Sequence, residues 1–412
     1  MAAVDMTAYA AALKRMYPQK KIENATFRKN PFFAMIPKNP NVGGESWTRA
    51  VHYEDLASGS ANFAVAQANK AASKKVAFRC TAVEDYTLAS IKGKVWKASM
   101  GDTKALLQVT KSEVDSAFNV QKRRCGIHTY RDGTGSIGRI GTISTTSITL
   151  STRSDINNIG KGHKLVACST TTGAVRADVA TVATVNRRAD ATVHFTTAED
   201  MSAKADAWVD DDYLFFEGDA ENNTGEHAVV DGLLAWLPTT APTAGDDHFG
   251  VDRSHDPVRL AGNVISAAGS TVEEVLIEAA TECAEQGGEP DIAMVPYLIW
   301  KQLGLELGSK REYHDQKIAG INFRGYVVTG PEGDIKVYPD RNCPGGHGFV
   351  LSKNTWSFDS IGAMPGILDL DDVGRFLREA TDDAYELRCG GYPQLTCRLP
   401  GANAVITDLP TS

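Results

Sequence analysis

The stretch Gly101 to Gly126, GDTKALLQVTKSEVDSAFNVQKRRCG, constrains this chain more than any other. It reads as one helix of about seven turns. Asp102 is placed to cap the N-terminus, where a side-chain oxygen accepts the free amide hydrogens of the first turn. Lys122, Arg123 and Arg124 lie at the negative end of the helix dipole, and Gly126 is placed to end the helix in the left-handed conformation. Leu106, Leu107, Thr110, Val114, Ala117, Phe118 and Gln121 recur at three- and four-residue steps. One narrow apolar stripe therefore faces a partner, and the wider polar face does not. A long, one-sided helix suits a sheet or a neighbouring subunit better than a deep core.

A chain of 412 residues has room for two or three domains and a sizeable core. No apolar run reaches the roughly eighteen residues of a membrane helix. The N-terminus MAAVDMTAYAAALKRMY carries its basic residues after its mildly apolar part, the reverse of a secretory signal. Seven cysteines without a CxxC pair point to reduced thiols in a cytosol-like compartment, which makes the sequons at Asn24 and Asn222 chance matches. The net charge of −8 is unevenly spread: residues 1–125 hold 20 Lys and Arg against 10 Asp and Glu, and the remainder holds 23 against 41. Charge segregated in this way marks either surfaces meant to meet, subunit on subunit or protein on nucleic acid, or two solvated faces that merely differ.

Residues 1–45 carry Pro18, Pro31, Pro37 and Pro40 and read as an extended arm whose Phe32, Phe33, Met35 and Ile36 need burial elsewhere, on the molecule or a neighbour. Period-two alternation around Trp47, Arg49, Val51 and Tyr53, and again around Val76, Phe78 and Cys80, marks two strands. The small, polar residues 57–75 between them are expected to order only on a neighbour, because a two-stranded ribbon is marginal alone. Residues 137–216 are rich in Thr, Val, Ala and Gly and read as short strands with turns at 157–162, 171–173 and 187–190, a small β-barrel or sandwich inserted into the main chain.

Beyond GLLAWLP, a capping box at Ser270–Glu273 opens a helix whose stripe is Val272, Val275, Leu276, Ala279, Ala280 and Cys283, ending at Gly287-Gly288. A buried strand DIAMVP, a helix YLIWKQLG and strands in FRGYVVTG, GDIKVYPD and GFVLSKNTWSFDSI follow, an α+β pattern. The tail AYELRCGGYPQLTCRLPGANAVITDL is strand-rich and interrupted by Gly and Pro.

No nucleophile elbow, phosphate loop or HExxH motif occurs. Gly133, Gly135 and Gly138 spell GxGxxG, but a helix precedes and strands follow, the wrong order for a dinucleotide site, so the stretch reads as a flexible hinge. Asp210, Asp211 and Asp212 lack calcium-loop spacing and read as a solvated turn. Asp246, Asp247, His248, Asp252, His255 and Asp256 are dense in metal-ligating types but lack helical ligand spacing, so a solvated loop is favoured over a metal-dependent enzyme centred on His248 and His255. Cys343 with His347, and Cys389 with Cys397, read as structural thiols. No catalytic, cofactor-binding or metal-binding residue is nominated.

The arm with NPFFAMIPK, the helix ALLQVTKSEVDSAFNVQKRR, GLLAWLP, VEEVLIEAATECAEQGGEPDIAMVPYLIWKQL, GDIKVYPDRNCPGGHGFVLSKNTWSFDSIGAMPGIL and GGYPQLTCRLPGANAVI, taken in order, resemble the HK97-type major capsid protein of tailed bacteriophages. The resemblance implies an α+β HK97-like fold: N-terminal arm 1–45, E-loop hairpin 46–82, P-domain 83–136 with its spine helix 101–125, an inserted β subdomain 137–217, a P-domain return 218–231, A-domain 232–378 and C-terminal strands 379–412. It implies a non-enzymatic shell protein without cofactors that forms hexamers and pentamers with itself, located in the virion and assembled in the host cytoplasm without membrane. The further implied partners are a separate scaffolding protein, a portal and non-specifically packaged double-stranded DNA. Arm and loop already occupy the residues before the helix, leaving no room for a fused scaffold. Lys70, Lys74 and Lys75 in the loop read as charge rather than cross-linking residues. An encapsulin-like compartment shares the fold and is the alternative.

Overall fold

The computed structural model describes residues 30–44, 46–94, 97, 103–187, 191–195, 200–203, 207–220, 228–308, 313–318, 321–368, 376–379 and 381–411. The expected cap Asp102, most of the expected 187–190 turn and the sequon asparagines lie outside these residues, as do the side chains of Leu106, Leu107 and Thr110.

The long helix runs from Thr103 to His128 and lies on a sheet. Val114, Ala117 and Phe118 pack against Ala89 and Ile91 of the strand Asp85–Lys92 and against Leu387 and Cys389 of the strand Ala384–Cys397. Burying a side chain such as Phe118 contributes roughly 1.5–3 kcal/mol, so these few contacts set which face of the helix points inward. Gln121 is buried on the same stripe. The helix does not end at Gly126. That residue sits inside the last turn, where a Cβ would stand 2.5 Å from Asn30 Nδ2 and 2.8 Å from Asn342 Nδ2. Close approach, not a left-handed cap, is the reason for glycine there.

The tail is less broken than its glycines suggest. Ala384–Cys397 is one continuous strand of 14 residues at the centre of a five-stranded sheet. Asp85–Lys92 pairs along one edge, and Trp356–Ile367 and Phe376–Arg378 pair along the other. Gly390 and Gly391 serve packing, since a Cβ would meet Asp85 O at 2.7 Å and Met364 Sδ at 2.5 Å respectively.

The second sheet has seven strands, in the order Asn263–Ser266, Ala404–Thr407, Gly348–Leu351, Ile292–Val295, Gly333–Pro339, Ile321–Gly330 and Tyr313–Ile318. The helix Val272–Glu285 covers it through the expected stripe, Val272, Val275, Leu276, Ala279, Ala280 and Cys283, all buried. Its capping box lies one residue later than expected: Thr271 is the N-cap and Glu274 closes the box. GFVLSKNTWSFDSI is two strands in two different sheets, split by a turn at Lys353–Thr355 that is held by Lys353 N to Asp291 Oδ1 (2.8 Å) and Ser352 N to Asn403 Oδ1 (2.9 Å). YHDQKI, which carries no strand signal, forms the outermost strand.

Between the sheets lies the main core. The proline-broken arm joins it: Pro31–Met35 is a short helix, Lys38–Asn39 pairs in parallel with Trp356–Ile367, and Phe32, Phe33, Met35 and Ile36 are buried in this chain's own core. Phe33 meets Phe358 edge-on at 4.6 Å, and Phe32 lies 5.6 Å from Tyr130.

Six strands between Gly138 and Phe216 close a barrel, in the order Tyr213–Phe216, Gly138–Ser144, Ser147–Leu150, Thr192–Phe195, Ala180–Asn186 and Lys164–Cys168. Closure leaves no free sheet edge. Asp210–Asp212 is not a merely solvated turn. Asp212 is buried and accepts from Arg176 Nε and Nη2 at 2.7 and 3.0 Å, and Asp210 Oδ1 accepts from Ile143 N at 2.8 Å, so the turn ties barrel strands together. The entry stretch Gly133–Gly138 is packed rather than a flexible hinge: Gly133 and Gly135 have φ of 83° and 91°, and a Cβ on Gly135 would stand 2.8 Å from Asp219 O.

Candidate assembly surfaces

The hairpin of Ser46–Glu54 and Lys74–Thr81 is antiparallel from Ser46 opposite Thr81 to Glu54 opposite Lys74. Its base is anchored on its own chain. Val51, Tyr53, Phe78 and Cys80 are buried in the main core, and the Phe78 ring lies 5.1 Å from Trp236. Arg49 pairs with the buried Asp359, whose carboxylate also accepts from Ser357 Oγ and Thr396 Oγ1, each at 2.7 Å. Arg79 N donates to Phe249 O at 3.0 Å.

The outer end is different. Lys74 and Glu54 pair at 2.5 Å where the strands part, and the connection folds into a short helix, Phe63–Ala68, with Asn62 Oδ1 accepting from Ala64 N at 3.0 Å. No residue of that helix is buried. Phe63 is 81% exposed and Leu56 61%. A phenylalanine left in water forgoes roughly the 1.5–3 kcal/mol that burial would supply. The small-residue loop thus has local structure, and its apolar side chains stand clear of the chain's own core.

Two other exposed apolar groups lie on the body. Tyr86 and Leu88 alternate with the helix-facing Ala89 and Ile91, and Leu88 stands opposite Arg388. Leu377 stands opposite Glu386, so these side chains share the sheet face away from the long helix, with the Arg388–Glu386 pair between them. The other comprises the exposed Tyr297 and Leu305 of the helix Tyr297–Leu307 and, separately, the exposed Tyr313 of the outermost strand, whose ring meets Tyr326 at 5.5 Å. Beside it, Trp300 stacks on Tyr326 at 4.5 Å.

Part of the sequence's charge segregation is resolved inside one subunit. Arg124 of the long helix donates to Asp85 Oδ1 at 2.7 Å and to both oxygens of Asp219 at 3.0 and 2.9 Å. Arg123 Nη2 donates to Asn157 O at 2.6 Å, and Arg131 Nη2 to Asp155 Oδ1 at 2.6 Å. These contacts fasten the barrel to the end of the helix.

The residues with chemical potential are used structurally. Asp252 caps a short turn by accepting from Ser254 N (2.9 Å), Asp256 accepts from Arg259 N (3.0 Å), and Asp246 pairs with Arg253 (3.0 Å). His248 is buried among the rings of Phe78, Trp236 and Phe249, while Asp247 and His255 are exposed, so the six do not converge. Among the described residues no three His, Cys, Asp or Glu side chains are grouped to hold a metal ion. All seven cysteines are free and buried, and burial pushes the Cys389 and Cys397 thiols up to about 12. His347 Nδ1 lies 3.1 Å from Gly345 O, and burial lowers its imidazole below the ordinary range. No described helix is long and apolar enough to cross a membrane.

Sequence reading overlooked the buried pair Tyr130 and Asp340, whose hydroxyl and carboxylate meet at 2.8 Å, and the Arg49–Asp359 pair. The available signal was an aspartate inside or just after an apolar strand, VYPD and SFDSI, where a charge needs a partner.

The model of the SU10 major capsid protein family matches residues 209–376, which take in the last barrel strand, all of the seven-stranded sheet except Ala404–Thr407, and the strand ending at Ile367. That stretch of the chain is similar to a major capsid protein. No curated protein matches this chain in sequence. Its fold is similar to that of a chain in the cyanophage A-1(L) capsid asymmetric unit, with a TM-score of 0.52 and 11% identity over 92% of this chain and 93% of that one. It also matches the capsid of Myoviridae phage XM1 (TM-score 0.41, 8% identity, 91% and 90% covered). The holo-SrpI encapsulin complex of Synechococcus elongatus PCC 7942 matches at a TM-score of 0.40 with 9% identity, covering 100% and 98%. The body is mixed α and β, and among the described residues the hairpin tip carries the most exposed large apolar side chain, Phe63.

Proposed function

We propose that many copies of this protein assemble into the icosahedral head of a tailed phage and enclose its double-stranded DNA, with the hairpin clasping an adjacent subunit. The observation that carries this reading is the hairpin: its base is fixed in the core of its own chain, while Leu56, Phe63 and Val65 at its outer end are exposed. Apolar surface of that kind is stabilised only by something that covers it, and in a self-assembling shell that is a second copy.

In this reading residues 1–45 form the N-terminal arm, 46–82 the E-loop, 83–136 and 218–231 the P-domain, 137–217 an inserted subdomain, 232–378 the A-domain and 379–412 the closing strands. The subunit performs no catalysis. It sits in the virion after assembly in the host cytoplasm, forms hexamers and pentamers, and works with a separate scaffolding protein and a portal. The test is deletion of Ser58 to Ala72. The expected result is a folded, soluble subunit that fails to form shells in electron micrographs; normal closed shells from the deletion variant would remove the hairpin from the account.

A further inference from the structure

A cleft of about 700 Å³ lies between the long helix, the barrel and the loop after Pro339, lined by Lys122, Arg123, Arg124, His163, Lys164 and Arg341 among others. Two of its cations are already neutralised: Arg124 by Asp85 and Asp219, and Lys164 by Glu217 at 3.2 Å. Arg123 and Arg341 are not. Arg123 gives one guanidinium nitrogen to the carbonyl of Asn157, and its Nε is buried without a hydrogen-bond partner. Arg187 spends a nitrogen on Ile159 O at 2.7 Å and acts on the same guanidinium, so the positive charges of Arg187 and Arg341 both bear on Arg123. Among the described residues none of these three arginines has a carboxylate partner within ion-pair distance. Gly160 allows the crowding, since a Cβ there would stand 3.3 Å from Arg123 Nη1 and 3.4 Å from His163 Cε1.

Holding like charges together against a partly buried wall is costly unless an anion offsets them. We infer that the cleft between the long helix and the barrel is a phosphate-binding site, in which Arg123 and Arg341, supported by Arg187, receive the oxygens of a phosphate-bearing polyanion. Guanidinium forks match phosphate oxygens in pairs, which a lysine cluster does not. The cleft is roomy enough for several linked phosphates, so both a free polyphosphate and a stretch of nucleic-acid backbone carry the right chemistry. Its position makes it a clamp: an anion bound there would bridge the barrel at His163, the helix through Arg123 and the body through Arg341.

The test measures binding of inorganic tripolyphosphate to the full-length subunit by calorimetry at low salt, with thermal unfolding in parallel. The expected result is saturable binding that raises the unfolding temperature and weakens with salt, falling about tenfold in Arg341→Gln, because a lost charge-assisted hydrogen bond pair is worth that much. Arg341 is exposed and among the described residues has no ion-pair partner, so that variant is expected to unfold at the wild-type temperature without ligand; Arg123→Gln is expected to weaken binding further. Competition by a short single-stranded oligonucleotide would identify nucleic-acid backbone as a ligand, and its absence would identify small polyphosphates; both outcomes support the site. Undetectable binding, or equal binding by wild type and both variants, would overturn it. So would polyglutamate that binds as tightly as tripolyphosphate and is lost in the same variants, which would assign the cleft to an acidic protein segment.

Discussion

Arg124, in the last two turns of the long helix, holds Asp85 and Asp219 at once, through Nε at 2.7 Å and through both terminal nitrogens at 3.0 and 2.9 Å. Asp85 opens the strand beneath the helix and Asp219 follows the last barrel strand, so a single guanidinium joins sheet, helix and barrel. Replacing Arg124 with Gln leaves two largely buried carboxylates without their cation, a loss expected to cost about 3–5 kcal/mol. Arg124→Lys keeps the charge but lacks the planar fork that engages both oxygens of Asp219 while Nε holds Asp85, so it is expected to recover less than half of that. Urea midpoints of the unassembled subunit measure both; near-wild-type stability of Arg124→Gln would contradict the assignment.

The hairpin tip separates folding from assembly. Phe63→Ser removes an exposed ring, so the subunit's stability is expected to change by less than about 0.5 kcal/mol. Shell yield by sedimentation is expected to collapse, because the proposed shell buries this ring against a second copy. A variant that assembles like wild type, or one that unfolds, would show that the ring plays a different part.

Asp340 introduces a pH dependence with a definite sign. Burial pushes its carboxyl up to about 6, although hydrogen bonds from Asn342 N and the Tyr130 hydroxyl favour the charged form. In the unfolded chain the same group titrates at about 3.9. The folded state therefore keeps the proton longer, and this group's contribution to stability falls as pH rises from about 4 to about 6. Asp340→Asn is expected to remove that part of the slope. Identical pH profiles for wild type and variant over that window would refute the assignment.

Gly126→Ala sets a local preference against packing. Alanine favours a helix over glycine by about 1 kcal/mol. Here the added methyl would displace the Asn30 and Asn342 side chains, which bond each other at 2.7 Å, so a net loss of about 1–2 kcal/mol is expected. Removing Asn30 as well is expected to make the second substitution cheaper than it is alone, a coupling that a double-mutant cycle measures. Additive effects would show that the two residues do not meet.

Periodicity made the elements legible. The stripe of the long helix from Val114 on, the stripe of Val272–Glu285 and the alternation of the hairpin strands record which face is buried, and those faces are the buried ones. Point features read less well, because they depend on residues distant in sequence. Gly126 is glycine because of Asn30 and Asn342, and Gly391 because of Met364. Asp212 is buried because Arg176 reaches it. A strand that changes sheets at Lys353 looks continuous when only its own residues are considered. The cluster around His248, read as a solvated loop, is instead partly built in: Asp252 and Asp256 accept from backbone amides, Asp246 pairs with Arg253, and the His248 imidazole packs among aromatic rings.

The central claim is that this subunit forms a shell by covering the hairpin tip with a second copy. Cryo-electron microscopy of the particles it forms tests that most directly. The account predicts closed icosahedral shells in which Leu56, Phe63 and Val65 of each subunit lie buried against an adjacent one; closed shells whose hairpin tips project into solvent, or a protein that stays monomeric at every concentration with its scaffold present, would contradict it.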